Sequence, residues 1–164
     1  MKITLRPVTR HNFDDVVDLN LLDHQYDFLA SNSYSIAEAS LNPALRTHAI
    51  YGDDRVIGFV LYCRPEETDD KPGVFGIWRL MICADFQGRG YGRQALELVL
   101  REICAVETAR DIHICYKPDN DAAKRFYASL GFQELGIEPE TGEMDAAVTP
   151  TSIIWSGSGG TSAA

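Results

Sequence analysis

Residues 84–96 read ADFQGRGYGRQAL, and the fold turns on how that stretch is read. Gly88, Gly90 and Gly92 stand at every second position, with Gln87, Arg89, Tyr91 and Arg93 around them. Before them runs VFGIWRLMIC (residues 74–83), a nearly continuous apolar segment of the kind buried at the centre of a sheet. After them, RQALELVLREICAVE (residues 93–107) has helical spacing, with Leu96, Val99, Leu100 and Ile103 as its apolar stripe. A glycine-rich turn that leaves a buried strand and opens a helix gathers unpaired backbone N–H groups at the positive end of the helix dipole. That is an anion site, suited above all to phosphates. Glycine lets the backbone approach the anion and adopt φ > 0 with no side chain in the way. Two standard phosphate motifs do not fit: no Lys-Ser/Thr pair follows the glycines, and a G-x-G-x-x-G pattern counted from Gly88 meets Arg93 at its third glycine.

The flanking segments supply the rest of the order. KITLRPV (residues 2–8) alternates as a strand, and HNFDDVVDLNLL (residues 11–22) has helical spacing. SIAEASLN (residues 35–42) predicts a second helix, with Ser35 as N-cap, Glu38 completing a capping box and Pro43 ending it. HAIYGDDRVIGFVLYCR (residues 48–64) is a hairpin, and the acidic EETDD (residues 66–70) reads as a solvated loop. DIHICY (residues 111–116) is a further strand, and KPDNDAAKRFYASLGF (residues 117–132) a helix closed by Gly131. FQELGIEPETGEMDAAV (residues 132–148) reads as two strands about a Pro/Gly turn. The central strand–helix–strand unit makes the middle of the sheet parallel, with antiparallel additions on both sides. The expectation is one domain over residues 1–155, with the low-complexity residues 156–164 loose.

The 164 residues carry 15 Lys and Arg against 24 Asp and Glu, a net charge of −9. That balance disfavours nucleic acid, which wants clustered cations, and suits a cationic small molecule. Cys63, Cys83, Cys104 and Cys115 show no C-x-x-C spacing, and the four histidines form no ligand pair, so neither a metal nor a disulfide framework is expected. No apolar stretch reaches membrane-spanning length and no signal-peptide pattern opens the chain; the expected location is cytoplasmic, with no membrane partner.

QGRGYG matches the Q/R-x-x-G-x-G/A signature of the GNAT superfamily through Gln87, Gly90 and Gly92, and the chain resembles those N-acetyltransferases in a second motif as well. NDAAKRFYASLGF fits N-x-x-A-x-x-x-Y-x-x-x-G-F, with Asn120, Ala123, Tyr127, Gly131 and Phe132 in place. The resemblance implies a mixed α/β (α+β) fold whose mostly antiparallel sheet of about seven strands holds a central parallel pair and has flanking helices. It implies acetyl-CoA as cofactor, its pyrophosphate on the backbone amides of Gln87, Gly88, Arg89, Gly90, Tyr91 and Gly92. Met81 and Ile82 would pair with the pantetheine arm, Asn120 would bond near it, and Tyr127 would face the thioester sulfur. Arg93 and Lys124 face the phosphates on helical phase.

Acetyl transfer needs a neutral amine, a polarised carbonyl and a proton for the thiolate. Tyr127 suits the last role, a phenol of pKa ~10, and the N–H of Ile82 the oxyanion donor. The strand FGIWRLMIC carries no carboxylate, so no base is assigned. Cys83 has no partner to activate it, and His113 alternates against Ile112 and Ile114 as a structural histidine. DFLASNSYSIAEAS (residues 27–40), taken with Trp78, resembles the bacterial spermine/spermidine acetyltransferase subgroup. The resemblance makes Asn32, Tyr34, Glu38 and Trp78 the substrate residues, with Asp27 as an outlier: acidic groups and aromatic faces for a polycation. The expected function is N-acetylation of a small polycationic amine. The alternatives are another amine (an aminoglycoside, a protein N-terminus or a lysine) and a non-catalytic acyl-CoA sensor. A homodimer through strand ends in residues 146–155 is the expected assembly.

Overall fold

The apolar run before the glycines is the central strand. The computed structural model describes residues 1–66 and 70–157. Its elements are β1 (Ile3–Pro7), α1 (Phe13–Val17), α2 (Asn32–Leu41), β2 (Leu45–Gly52), β3 (Arg55–Cys63), β4 (Val74–Ile82), α3 (Tyr91–Cys104), β5 (Asp111–Tyr116), α4 (Asp121–Ala128), β6 (Gln133–Ile137) and β7 (Met144–Val148). The seven strands form one sheet in the order β1-β2-β3-β4-β5-β7-β6. Only β4 and β5 run parallel, because α3 carries the chain back across the sheet between them. This is the expected mixed sheet.

Each face of the sheet is covered by helices. Phe75, Ile77 and Ile82 from β4 pack with Leu96, Leu100 and Ile103 of α3 and with Ile112 and Ile114 of β5. On the opposite face Phe59, Leu61 and Met81 pack with Val16 of α1 and Ile36 of α2. Fully burying each such side chain contributes roughly 1.5–3 kcal/mol relative to exposure.

The N-terminal helices differ from the sequence reading. The helix expected over residues 11–22 is only Phe13–Val17, and Asp23–Phe28 forms a separate 3₁₀ turn. Ala84 N–H donates to the Asn20 carbonyl at 2.8 Å, which draws the chain off the helical path. The second helix begins a turn early. Ser31 is its cap, accepting from Tyr34 N–H at 3.1 Å, while the buried Ser35 hydroxyl donates to the Ser31 carbonyl. Glu38 therefore closes no capping box.

The chain after β7 packs rather than dangles. Ile154 N–H donates to the Leu130 carbonyl at 3.0 Å. At Gly131, φ is +98° and a Cβ would lie 2.5 Å from the Ser152 carbonyl oxygen, so the crossing of these segments requires glycine. The tail expected to be loose from residue 156 is held at that first residue: Ser156 gives its amide (2.7 Å) and hydroxyl (2.6 Å) to Glu97 Oε1. Residues 158–164 of that tail, and residues 67–69 of the acidic loop, lie outside the described residues.

Burial works against the charge on Glu97, but the two bonds from Ser156 and the Arg93 guanidinium outweigh it and hold the carboxyl below its ordinary range. A depressed carboxyl contributes stability that is present above the unfolded-state pKa and lost as pH falls through the folded one. Glu97→Ala is therefore expected to cost about 1–3 kcal/mol at neutral pH. The gap from wild type should narrow below the unfolded value near 4.5, as thermal unfolding at both pH values would read.

Candidate functional site

The parallel seam is incomplete. β4 and β5 pair only from Val74↔Asp111 to Ile77↔Ile114, although β4 continues to Ile82. The cause is on the other side of β4, where Leu61 pairs with Arg79 and Tyr62 with Ile77, leaving Trp78 as an extra residue. Such a bulge sharpens the local twist and carries the strand away from its neighbour. Past it, Cys83 N–H donates to the Ile57 carbonyl at 2.8 Å. Strand alternation then turns the backbone groups of Met81 towards β3 and those of Leu80 and Ile82 towards the open seam. A cleft of about 480 Å³ fills the gap.

One end of the cleft is the glycine turn. Gly88 and Gly90 have φ of +73° and +77°, and a Cβ at either would meet nothing within 4 Å, so conformation rather than space demands glycine there. Gly90 caps α3 without any side-chain bond, and the helix's first hydrogen bond runs from Gln94 N–H to the Gly90 carbonyl at 3.2 Å. The N–H groups of Tyr91, Gly92 and Arg93 are thus the orphan donors of a helix start, opening on the cleft. This donor set fits a diphosphate.

Gln87 braces the turn from beneath. Its Nε2 donates to the Ile82 carbonyl (2.8 Å) and to Gln25 Oε1 (2.8 Å), and Gln25 Nε2 returns a bond to Gln87 Oε1 (3.0 Å). Gln25 belongs to the 3₁₀ turn and also lines the cleft. The sequence reading missed it, since nothing local signals a pairing across 62 residues.

The expected cationic rim needs correcting. Arg93 borders the cleft, but its guanidinium bonds Glu97, Ser156 Oγ, Ser129 and the Ile154 carbonyl (2.7–3.3 Å). Lys124 lies outside the cleft lining and bridges to Glu134 at 3.1 Å. Arg89 is exposed, outside the lining, with its guanidinium 5.9 Å from the Phe86 ring centre. A carboxylate or carbonyl thus engages Arg93 and Lys124, while Arg89 stays exposed beside the Phe86 ring.

At the other end Tyr127 lines the cleft, stacked on Tyr116 at 5.9 Å and edge-on to Phe126 and Phe132. Burial, with a smaller effect of Tyr116, pushes its phenol far above the ordinary value, so it carries its proton at neutral pH. Tyr116 is itself raised to about 12 by burial and its bond to Glu134. Asn120 also lines the cleft; its Oδ1 caps α4 through Ala123 N–H at 3.0 Å, leaving the amide nitrogen for other partners. Cys115 stands at the rim, its thiol pushed up to about 11 by burial and by Asp145, Glu143 and Glu138, which makes it a poor nucleophile.

Of the four substrate candidates, only Trp78 lines the cleft. Asn32 pins α2 to α1 through the Val16 carbonyl at 2.8 Å. Tyr34 is exposed on α2, and Glu38 Oε2 is buried on that helix, both outside the lining. The earlier start of α2 sets where these three side chains lie.

Comparison with known proteins agrees with this geometry. The model of the Acetyltransferase (GNAT) family matches residues 13–132. A spermine/spermidine N(1)-acetyltransferase of Bacillus subtilis (strain 168) is 26% identical over 145 residues, covering 87% of this chain and 95% of that protein. Among solved structures, spermidine N-acetyltransferase from Vibrio cholerae in complex with CoA and spermine superposes with a TM-score of 0.71 at 17% identity, over 92% of this chain and 96% of that one. AAC(6')-Ib in complex with an aminoglycoside and AcetylCoA does so at 0.76 and 18%, over 93% and 96%. The chain belongs to the GNAT acetyltransferase family.

Proposed function

We propose that this enzyme transfers the acetyl group of acetyl-CoA directly to a primary amine of a small polycation, with a spermine- or spermidine-like polyamine as acceptor. The observation that carries the reading is the unpaired β4–β5 seam, with a helix-start donor array at one end and a protonated phenol towards the other. Acetyl-CoA, when bound, supplies the activated thioester.

The chain's own groups do the rest. Amides from Gly88 to Arg93 hold the diphosphate, and Gln87 keeps the turn in register through Ile82 and Gln25. Leu80 and Ile82 offer strand-like hydrogen bonds to an extended arm, a role that alternation denies to the backbone of Met81. Ile82 lies against the glycine turn, its Cγ1 3.5 Å from a Cβ built on Gly92. The donor to the carbonyl oxygen is therefore Leu80, further along the arm, rather than Ile82. Tyr127 gives its proton to the departing sulfur, and Asn120 offers its free amide N–H groups to the arm. No thiol relay is involved, since Cys115 is held protonated.

Support for a polycationic acceptor comes from Trp78 on the cleft wall and from the carboxylates of Asp145, Glu143 and Glu138, which act together on the rim at Cys115. The relatives named for polyamines point the same way.

Thiol release from acetyl-CoA, measured with spermine, spermidine, putrescine, an aminoglycoside and a lysine peptide, is expected to be fast only with polyamines. Turnover confined to the aminoglycoside would move the acceptor, and cofactor binding without any turnover would leave a sensor. Tyr127→Phe is expected to lower kcat by about 10²–10⁴-fold with little change in acetyl-CoA affinity by calorimetry. Gly90→Val forces a branched residue to φ +77° and should weaken acetyl-CoA binding by about tenfold or more.

A further inference from the structure

β4 offers no carboxylate to take the amine's proton, yet a carboxylate–imidazole pair stands behind the cleft lining, and its contact is not used above. His113 on β5 and Asp145 on β7 meet across the strands: Nδ1 lies 3.0 Å from Oδ1 and 3.2 Å from Oδ2. Both are partly exposed, at 32% and 25% of their side chains. Asp145 is paired in register with Cys115, and its Oδ1 is 4.0 Å from that thiol, which lines the cleft. In the parallel register His113 sits beside Gly76. The indole of Trp78 covers Gly76, its Nε1 2.9 Å from where a Cβ would stand. Asp145 therefore stands directly behind the cleft lining at Cys115, on the face away from α3, with His113 beside it within the paired part of the seam.

We propose that the Asp145–His113 pair is the proton acceptor for the incoming amine, an inference that rests on the N-acetyltransferase reading. Asp145 takes the ammonium's proton and releases it to water, and His113 Nδ1–H holds the carboxylate in position. An ammonium must lose two protons to become an amide nitrogen, while the leaving sulfur regains one. The first goes from nitrogen to the Asp145 carboxylate and on to solvent, freeing the lone pair, while His113 Nδ1–H stays the donor to that carboxylate. The N–C bond then forms as the C–S bond breaks. The sulfur takes the proton of Tyr127, and the nitrogen's second proton returns through water to that phenolate.

The groups facing this pair are few. Asp111 and Cys115 share its face of β5, Glu143 precedes Asp145 at the start of β7, Glu138 follows β6, and Arg79 lies on the same face of β4 with its Nη1 bonded to the Trp78 carbonyl at 2.8 Å. α1 and α2 cover β2 and β3 instead. The carboxylates favour the approach of a cation.

The test is kcat/KM for the best polyamine from pH 6 to 9 in the wild type, Asp145→Asn and His113→Gln, with thermal unfolding and acetyl-CoA calorimetry alongside. Asp145→Asn is expected to lose about 100-fold at pH 7, with the rate then climbing with pH as the free amine becomes available. His113→Gln should lose less but show the same displaced acid limb, and both should bind acetyl-CoA as the wild type does. Wild-type pH profiles in folded variants would overturn the proposal and leave the acetyltransferase reading standing. A wild type inert towards every amine would remove that reading first, and this one with it. NMR of the wild type adds a reading that needs neither variant to fold: the imidazole signals of His113 should shift when spermine is added with CoA, and unmoved signals would overturn the pair's role.

Discussion

The parallel pairing of β4 with β5 stops after four residues on each strand, and the site follows from that interruption. A parallel pair at the middle of a sheet would ordinarily run its ladder to the strand ends, because a buried backbone donor left unpaired costs about 1–3 kcal/mol. Here the extra residue at Trp78 turns β4 away before the ladder is complete. Part of the cost is offset locally, since the Gln87 side chain bonds the Ile82 carbonyl. What remains is a strip of strand edge inside the molecule, on which an extended ligand arm can lie as the missing neighbour. The bulge also sets Trp78 at the mouth of that strip, so one backbone irregularity both opens the cleft and furnishes its wall.

Charge is divided between the two ends in an unexpected way. Arg93 and Lys124 neutralise carboxylates of the chain, Arg93 securing the C-terminal segment through Glu97 and Ser156 and Lys124 bridging to Glu134. The helix-start end then presents fixed N–H dipoles, which need no flexible cation to be ordered. A cation approaching the rim meets Asp145, Glu143 and Glu138 without passing a competing lysine or arginine in the cleft lining other than Lys117 and the engaged Arg93.

Local signals made the core of this legible in the sequence. A glycine with φ above zero before an amphipathic stripe marks the start of α3, and the second motif marks α4 with Asn120 as its cap and Tyr127 on its inner face. Leu80 was within reach too: once a strand's parity is known, residues 80 and 82 share a side and 81 does not. Gln25, Asp145 and the real cap Ser31 were not. Gln25 meets Gln87 across 62 residues, and Asp145 meets His113 across 32. Two serines ahead of one apolar pattern offer the same cap chemistry, and nothing local in the sequence separates them.

A phenol raised so far above its ordinary value looks too weak an acid to serve a thiolate, whose conjugate thiol in water is the stronger acid by more than about one unit. The comparison changes inside the cleft, because burial disfavours every anion there and raises both groups together. Cys115 displays the effect on a thiol at the rim, where burial and three carboxylates take it to about 11. A sulfur anion formed beside Tyr127, among the rings of Tyr116, Phe126 and Phe132, loses more water than one at the rim, and its basicity rises towards that of the phenolate. On the proposed mechanism the proton would pass between two groups in the same ring-lined pocket, and the partly exposed Asp145 and His113 would offer the way out to water.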